Sequence, residues 1–191
     1  MKKEKIGFFG GCFNPPINTH ISLANNLIKD NIVDKVMFVP VGDYYQKKNL
    51  VEARHRYNML KLATQEFPKL QVENIASTHK DKLFATDTFK LIYDKYSNSA
   101  DMYLIMGSDN FEKMPTWKNY ADIINKYKFI VIERPKYEEK CDLKNVIYCK
   151  DNQLEDITST RIRNNLQKGE DVSNWINADV LKYINENKLY A

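Results

Sequence analysis

Nowhere does the chain approach the ~20 consecutive apolar residues that cross a bilayer, and no block of like charge exceeds a few residues. The first absence argues against a membrane span. The second, with a net charge of only +4, rules out a polybasic tail and offers little to nucleic acid. Cysteine is scarce and odd in number (Cys12, Cys141, Cys149). It lacks the spacing of a metal site, which fits a reducing cytoplasm. Two phosphate-binding fingerprints are missing as well, Gly-x-Gly-x-x-Gly and Gly-Lys-Ser/Thr. Lys2, Lys3 and Lys5 ahead of Ile6 faintly imitate a secretory leader. Its apolar core is short and broken by Gly7, Gly10 and Gly11, so none is expected. There is no internal repeat, low-complexity segment or interdomain linker, and residues 1–191 read as a single domain.

What is present is the composition of a soluble globular protein, 43% hydrophobic and 28% charged over 191 residues. Its organising stretch is Gly10-Gly11-Cys12-Phe13-Asn14-Pro15-Pro16-Ile17-Asn18-Thr19-His20. An apolar run (Ile6, Phe8, Phe9) precedes it as a buried strand, and Leu23/Leu27 and Ala24/Ile28 follow at helical spacing. A strand, a glycine pair, a proline-stiffened loop and a helix capped by Asn18 or Thr19 make an anion site. Glycines let backbone N–H groups approach a phosphate, the helix N-terminus adds partial positive charge, and His20 adds a side-chain donor. Any strand-to-helix turn favours Gly, Pro and Asn, so a plain turn is the alternative on local grammar alone.

Further along, Val36 to Val41 is a continuous apolar run, hence a buried strand. The polar loop from Gly42 to Asn49 lies at its C-terminal end, where ligands of open parallel sheets bind. Lys47 and Lys48 there either meet a substrate phosphate or are solvated. Glu52 to Phe67 reads as an amphipathic helix with Tyr57, Leu60 and Ala63 on one face, closed by Pro68. Leu70 to Ile75 alternates as a third strand, and His79 falls in a solvated loop. A helix begins around Phe84 to Phe89, capped by Thr86 or Asp87, and runs through Tyr96. Met102 to Met106, Phe129 to Ile132 and Val146 to Cys149 complete the strands, and Tyr137 to Lys144 reads as a polar excursion. Asp109, after Met106-Gly107-Ser108, either holds the next helix or accepts ribose hydroxyls. Trp117 by itself reads as core. Arg134 either faces an acidic nucleotide or pairs with Glu133. In Ile157-Thr158-Ser159-Thr160-Arg161-Ile162-Arg163, Ser159 or Thr160 caps a helix that turns Ile162 and Leu166 inward and stops at Gly169. Arg161 and Arg163 in its first turns oppose the helix dipole, which is unfavourable unless an anion sits nearby. Val180, Leu181 and Ile184 mark a closing helix that ends at the C-terminus. Strands alternating with helices imply an α/β, Rossmann-like, doubly wound and mostly parallel sheet with helices on both faces.

The first stretch resembles the Gly-Gly-Ser/Thr-Phe-Asp-Pro-x-His-x-Gly-His signature of the nucleotidyltransferase superfamily. More closely, the chain is similar to the bacterial nicotinate-nucleotide adenylyltransferase family. Gly10, Gly11, Phe13, Pro15 and His20 match; Asn14 stands where Asp is usual, Ile17 where the first His is usual, and Thr19 where Gly is usual. Phe84 to Phe89, Gly107 to Phe111, Pro115 to Trp117, Glu133 to Pro135 and Ile157 to Arg163 resemble further family stretches, so the likeness runs from Ile6 nearly to the end.

The resemblance implies adenylyl transfer from ATP to nicotinate mononucleotide in NAD biosynthesis, with pyrophosphate leaving. His20 and Arg163 are then the catalytic residues. Gly10, Gly11, Phe13, His20, Gly107, Asp109, Ile157, Ser159, Thr160 and Arg163 would bind ATP. Lys47, Thr86, Trp117 and Arg134 would bind the acceptor, with Trp117 stacked on the pyridine ring. Mg²⁺ is implied between the phosphates, held by nucleotide and water more than by protein. The implied partners are small molecules, with neither nucleic acid nor membrane. Ile17 offers a phosphate nothing but bulk. Either turnover is slower, or Asn14, Asn18 or Thr19 supplies the donor. A non-catalytic nucleotide sensor, or a transferase for another small phosphorylated acceptor, is the alternative.

Overall fold

The computed structural model describes residues 3–45, 48–78, 83, 85–117, 119–134, 143–150 and 157–190. Lys47, His79, Phe84, Cys141 and residues 137–142 of the polar excursion lie outside them. In chain order the elements are β1 (Glu4–Gly11), α1 (Asn18–Lys29), β2 (Lys35–Pro40), α2 (Ala53–Thr64), β3 (Leu70–Val72), α3 (Ile75–Thr78), α4 (Ala85–Tyr96) and β4 (Ala100–Gly107). There follow α5 (Ser108–Lys113), a 3-10 turn (Met114–Thr116), α6 (Tyr120–Lys126), β5 (Lys128–Ile132), β6 (Val146–Cys149), α7 (Ser159–Gln167) and α8 (Ala178–Glu186).

The six strands form one sheet in the order β3-β2-β1-β4-β5-β6, and every neighbouring pair is parallel. Side chains alternate across a strand, so each continuous apolar run feeds two cores. Val36 and Phe38 face one side with Ile21, Leu60, Ile162 and Val180. Met37 and Val39 face the other with Phe89, Ile92, Met114 and Ile123. Helices α1, α2, α7 and α8 cover the first face, and α4 and α6 the second. Full burial of each such side chain contributes about 1.5–3 kcal/mol. The doubly wound architecture is therefore as expected.

Three local expectations are corrected. The third strand stops at Val72 and Ile75 then opens α3; between them the Glu73 N–H still donates to the Phe38 carbonyl at 2.9 Å, while its carboxylate accepts from Lys95 Nζ and Tyr96 Oη, both at 2.8 Å. α1 starts after Ile17, not after Asn18 or Thr19. Asn18 instead donates through Nδ2 to the Asn174 carbonyl at 3.2 Å. Thr158, not Ser159 or Thr160, caps α7: its Oγ1 accepts the Arg161 N–H at 3.2 Å. Such a cap contributes about 1 kcal/mol, and Ser159 and Thr160 then stand in the first turn. Gly169, at φ 72, ends this helix in the left-handed conformation that glycine adopts without strain. The closing helix α8 ends at Glu186, ahead of Tyr190.

Candidate active site

Strand order reverses between β1 and β4, the only neighbours from which the chain departs in opposite directions across the sheet. In such sheets a crevice opens beyond the C-terminal ends of those two strands. Register brings Phe9 opposite Ile105, which sets Gly10-Gly11 beside Met106-Gly107 at the floor of that crevice. A Cβ on Gly107 would collide with Asp109 Oδ1 and come within 3.1 Å of Arg134 Nε. Glycine thus keeps backbone open where these two side chains converge. The Arg134 N–H donates to Ser108 Oγ at 2.8 Å, fixing the end of β5 against the start of α5.

His20 enters from α1. Its Nδ1 accepts the Ile17 N–H at 3.1 Å, the return half of a capping box whose other half an isoleucine cannot make. With Nδ1 acting as acceptor, the neutral ring carries its proton on Nε2, and that is the donor left for a ligand. Phe13 packs edge-on against the imidazole with centroids 5.3 Å apart, and Phe9 lies at 6.2 Å. Desolvation, reinforced by the Arg134 charge, pushes the His20 pKa from 6.5 to about 4. At neutral pH the group is an uncharged donor.

A pH dependence of stability follows. The folded-state pKa lies below the unfolded one, so between about 4 and 6.5 the unfolded chain binds more protons and stability rises with pH. The contribution is whole above that window and lost as pH falls through it. Urea unfolding of wild type and His20→Ala across it should show a shallower acid loss in the variant. Parallel curves would contradict the burial-driven shift.

Phe13 adopts φ 46. This left-handed bend turns the following residues inward, leaving Asn14, Pro15, Pro16 and Ile17 buried. The loop is then tied to the far end of the chain. Arg163 Nη1 donates to the Asn14 carbonyl at 2.8 Å and its Nη2 to Thr160 Oγ1 at 3.2 Å. Ser159 Oγ donates to the Pro15 carbonyl at 2.9 Å. The first turns of α1 and α7 are so drawn to one place. Two of the five guanidinium N–H groups of Arg163 are used, and three remain for an anion.

Not every expected residue presents its side chain. Phe13 is 4% and Ile157 7% exposed, both within the core, so neither presents its side chain to the crevice. Ile17, 3% exposed, is a core residue too. Thr86, in the first turn of α4, lines a groove of about 580 Å³ between α4 and α6, with Lys90, Asn119, Asp122 and Lys126. Trp117 is half-buried beside the second core.

Some residues carry no signal at the sequence level. Arg56, in α2, is wholly buried. Its Nε donates to Val51 O at 2.8 Å and its Nη1 to Cys12 O at 3.2 Å, joining the loops after β1 and β2. Burial lowers its pKa and the nearby Asp43 carboxylate opposes that fall. Asp43 Oδ1 stands 3.5 Å from Nη2 and accepts the Ala53 N–H at the start of α2. Inside an amphipathic helix, such an arginine looks like any solvated charge.

The family described as cytidylyltransferase-like matches residues 8–165. A chain of Acholeplasma laidlawii bearing the name probable nicotinate-nucleotide adenylyltransferase is 32% identical over 186 residues, covering 95% of each chain. The nicotinate-nucleotide adenylyltransferase of Bacillus subtilis is 30% identical over 189 residues, 98% of each. Among solved structures, the Plasmodium falciparum nicotinic acid mononucleotide adenylyltransferase complexed with NaAD superposes with a TM-score of 0.79 at 21% identity, over 98% of this chain and 97% of that one. That last likeness is one of fold.

Proposed function

The chain belongs to the cytidylyltransferase-like family and, within it, to the nicotinate-nucleotide adenylyltransferases, and from this premise we propose how its residues move the adenylyl group of ATP onto nicotinate mononucleotide. One phosphate oxygen of the mononucleotide attacks the α-phosphorus of ATP in line. The new P–O bond forms as the bond to the bridging oxygen breaks, and the electron pair leaves with pyrophosphate. No covalent enzyme intermediate is needed; positioning and charge stabilisation carry the step.

The single observation that carries this reading is the joining of the two phosphate stretches through Arg163 to Asn14 O and Ser159 to Pro15 O. His20 Nε2–H serves the α- and β-phosphates; Arg163, Ser159 and Thr160 serve the β- and γ-phosphates. Gly107 and Asp109 receive the adenosine. Trp117, Thr86, Arg134 and Lys47 serve the acceptor. Among the described residues no group of three His, Cys, Asp or Glu could hold a metal ion. Mg²⁺, which the resemblance implies, would enter with ATP and be held by nucleotide and water more than by protein. Among the described residues no helix is long and apolar enough to cross a membrane, and a reducing cytoplasm is the proposed compartment.

Pyrophosphate release from ATP with a panel of acceptors (nicotinate mononucleotide, nicotinamide mononucleotide, phosphopantetheine) tests the assignment. Release with the first is expected. Release only with another acceptor overturns it.

The departure at Ile17 bears on rate. The side chain packs in the core, so an imidazole there buries a polar group without a prepared partner, at about 1–3 kcal/mol. Ile17→His is expected to lower the melting temperature and leave kcat no higher. A severalfold gain in kcat would place this side chain at the phosphates after all.

A further inference from the structure

The Asn14 side chain occupies the one position where the family pattern expects a carboxylate, and its surroundings explain the amide. Nδ2 donates to the Asn49 carbonyl at 2.7 Å. Oδ1 accepts the Val51 N–H at 3.3 Å and the Tyr190 O–H at 2.7 Å. The backbone carbonyl of the same residue holds Arg163 Nη1 at 2.8 Å. A carboxylate would bring an oxygen against the Asn49 carbonyl and lose the donor. At 3% exposure it would also be a buried charge.

Tyr190 reaches this residue from beyond α8. It is 9% exposed and holds φ 65, a left-handed backbone that a bulky residue keeps only where its surroundings impose it. Its hydroxyl lies near enough to Arg163 and Arg56 to feel both charges, while burial pushes its pKa up and keeps it a donor. One residue thus meets three separate parts of the chain: its side-chain amide meets the 49–51 segment after β2 and the segment after α8, and its backbone carbonyl meets the guanidinium assigned to the triphosphate.

We propose that Asn14 and Tyr190 are positioning residues for Arg163: the Tyr190–Asn14 hydrogen bond fixes the peptide whose carbonyl aims the guanidinium at the β- and γ-phosphates. The inference rests on the phosphate role given to Arg163 above. Acting through Arg163, the Tyr190 hydroxyl matters only while Arg163 is present. A simple structural staple would act equally with or without it.

Tyr190→Phe removes the hydroxyl alone and leaves Asn14 Oδ1 its bond from Val51, so no buried acceptor is orphaned. Affinity for a non-hydrolysable ATP analogue by calorimetry, and kcat/KM for pyrophosphate release, are each expected to fall about fivefold, the scale of one hydrogen bond. The same change made in Arg163→Ala, or in Arg163→Lys should the alanine variant not fold, is expected to have no further effect on either. Asn14→Asp should weaken analogue binding at least as much as Tyr190→Phe. Equal losses in the two backgrounds, or wild-type affinity in Tyr190→Phe, overturn the proposal. The binding arm does not involve the acceptor, so a wild-type protein that binds the analogue yet transfers nothing to nicotinate mononucleotide overturns the functional reading and still decides the coupling.

Discussion

Arg163→Ala and His20→Ala are each expected to lower kcat/KM for pyrophosphate release by about 10²–10³, the usual loss when a preorganised donor to developing charge is removed. Both donors are held before any substrate arrives. Arg163 is anchored by Asn14 O and Thr160 Oγ1 with three N–H groups to spare. His20 is anchored at Nδ1, which leaves Nε2–H as the donor not used by that bond. Charge on the leaving pyrophosphate grows in the transition state, so the effect should appear in kcat more than in KM for ATP. Neither side chain is among the fully buried ones, and the thermal melt of each variant should stay near wild type. Wild-type turnover in both variants would remove these residues from the chemistry. A fall in turnover that only tracks a fall in melting temperature would make them structural.

Nicotinate mononucleotide is expected to exceed nicotinamide mononucleotide in kcat/KM by at least tenfold, about 1.4 kcal/mol of transition-state discrimination. A ring carboxylate needs donors, and an amide presents donors of its own and leaves pocket N–H groups unpaired. Thr86 and Trp117 are the acceptor-binding residues that the resemblance implies, and backbone amides near them are the proposed donors. The Trp117 N–H is spent on the Met114 carbonyl at 2.9 Å. Thr86 lies in the first turn of the twelve-residue helix α4, whose leading N–H groups have no acceptor within the helix and carry its positive end. A carboxylate gains there from charge as well as from hydrogen bonds. An amide gains from neither to the same degree.

Trp117, half-buried at the end of the 3-10 turn, is the proposed aromatic platform. Stacking of this kind adds about 0.5–1.5 kcal/mol beyond burial. Trp117→Ala should therefore raise KM for both pyridine acceptors together and leave their ratio unchanged. Steady-state kinetics with the two acceptors decides it: equal use removes the carboxylate-reading pocket, and use of phosphopantetheine alone removes the pyridine assignment.

Sequence by itself determined the sheet and the chemistry of its edge. Runs such as Val36 to Val39 announce strands covered on both faces, and their alternation with helical spacing leaves a parallel, doubly wound sheet as the solution. The glycine pair, His20 and the Thr158 to Arg163 stretch stand out as the candidate phosphate site because phosphate binding at a helix start uses neighbouring residues. Local grammar also has limits. Ile17 and Thr158 open α1 and α7 ahead of the expected caps: in α7 the neighbouring Thr158 supplies the capping hydroxyl, and in α1 the N-cap has no side-chain oxygen at all. Leu70 to Ile75 alternates like a strand, yet the strand ends at Val72 and the chain turns into α3 at Ile75. Only the tertiary structure decided that Arg56 is buried between two loops, that Phe13 and Ile157 turn their side chains away from the crevice, and that Tyr190 closes on Asn14. These are pairings between single polar groups far apart in the chain. They leave no period in the sequence, because their partners are chosen by the distance that the packed sheet and helices impose.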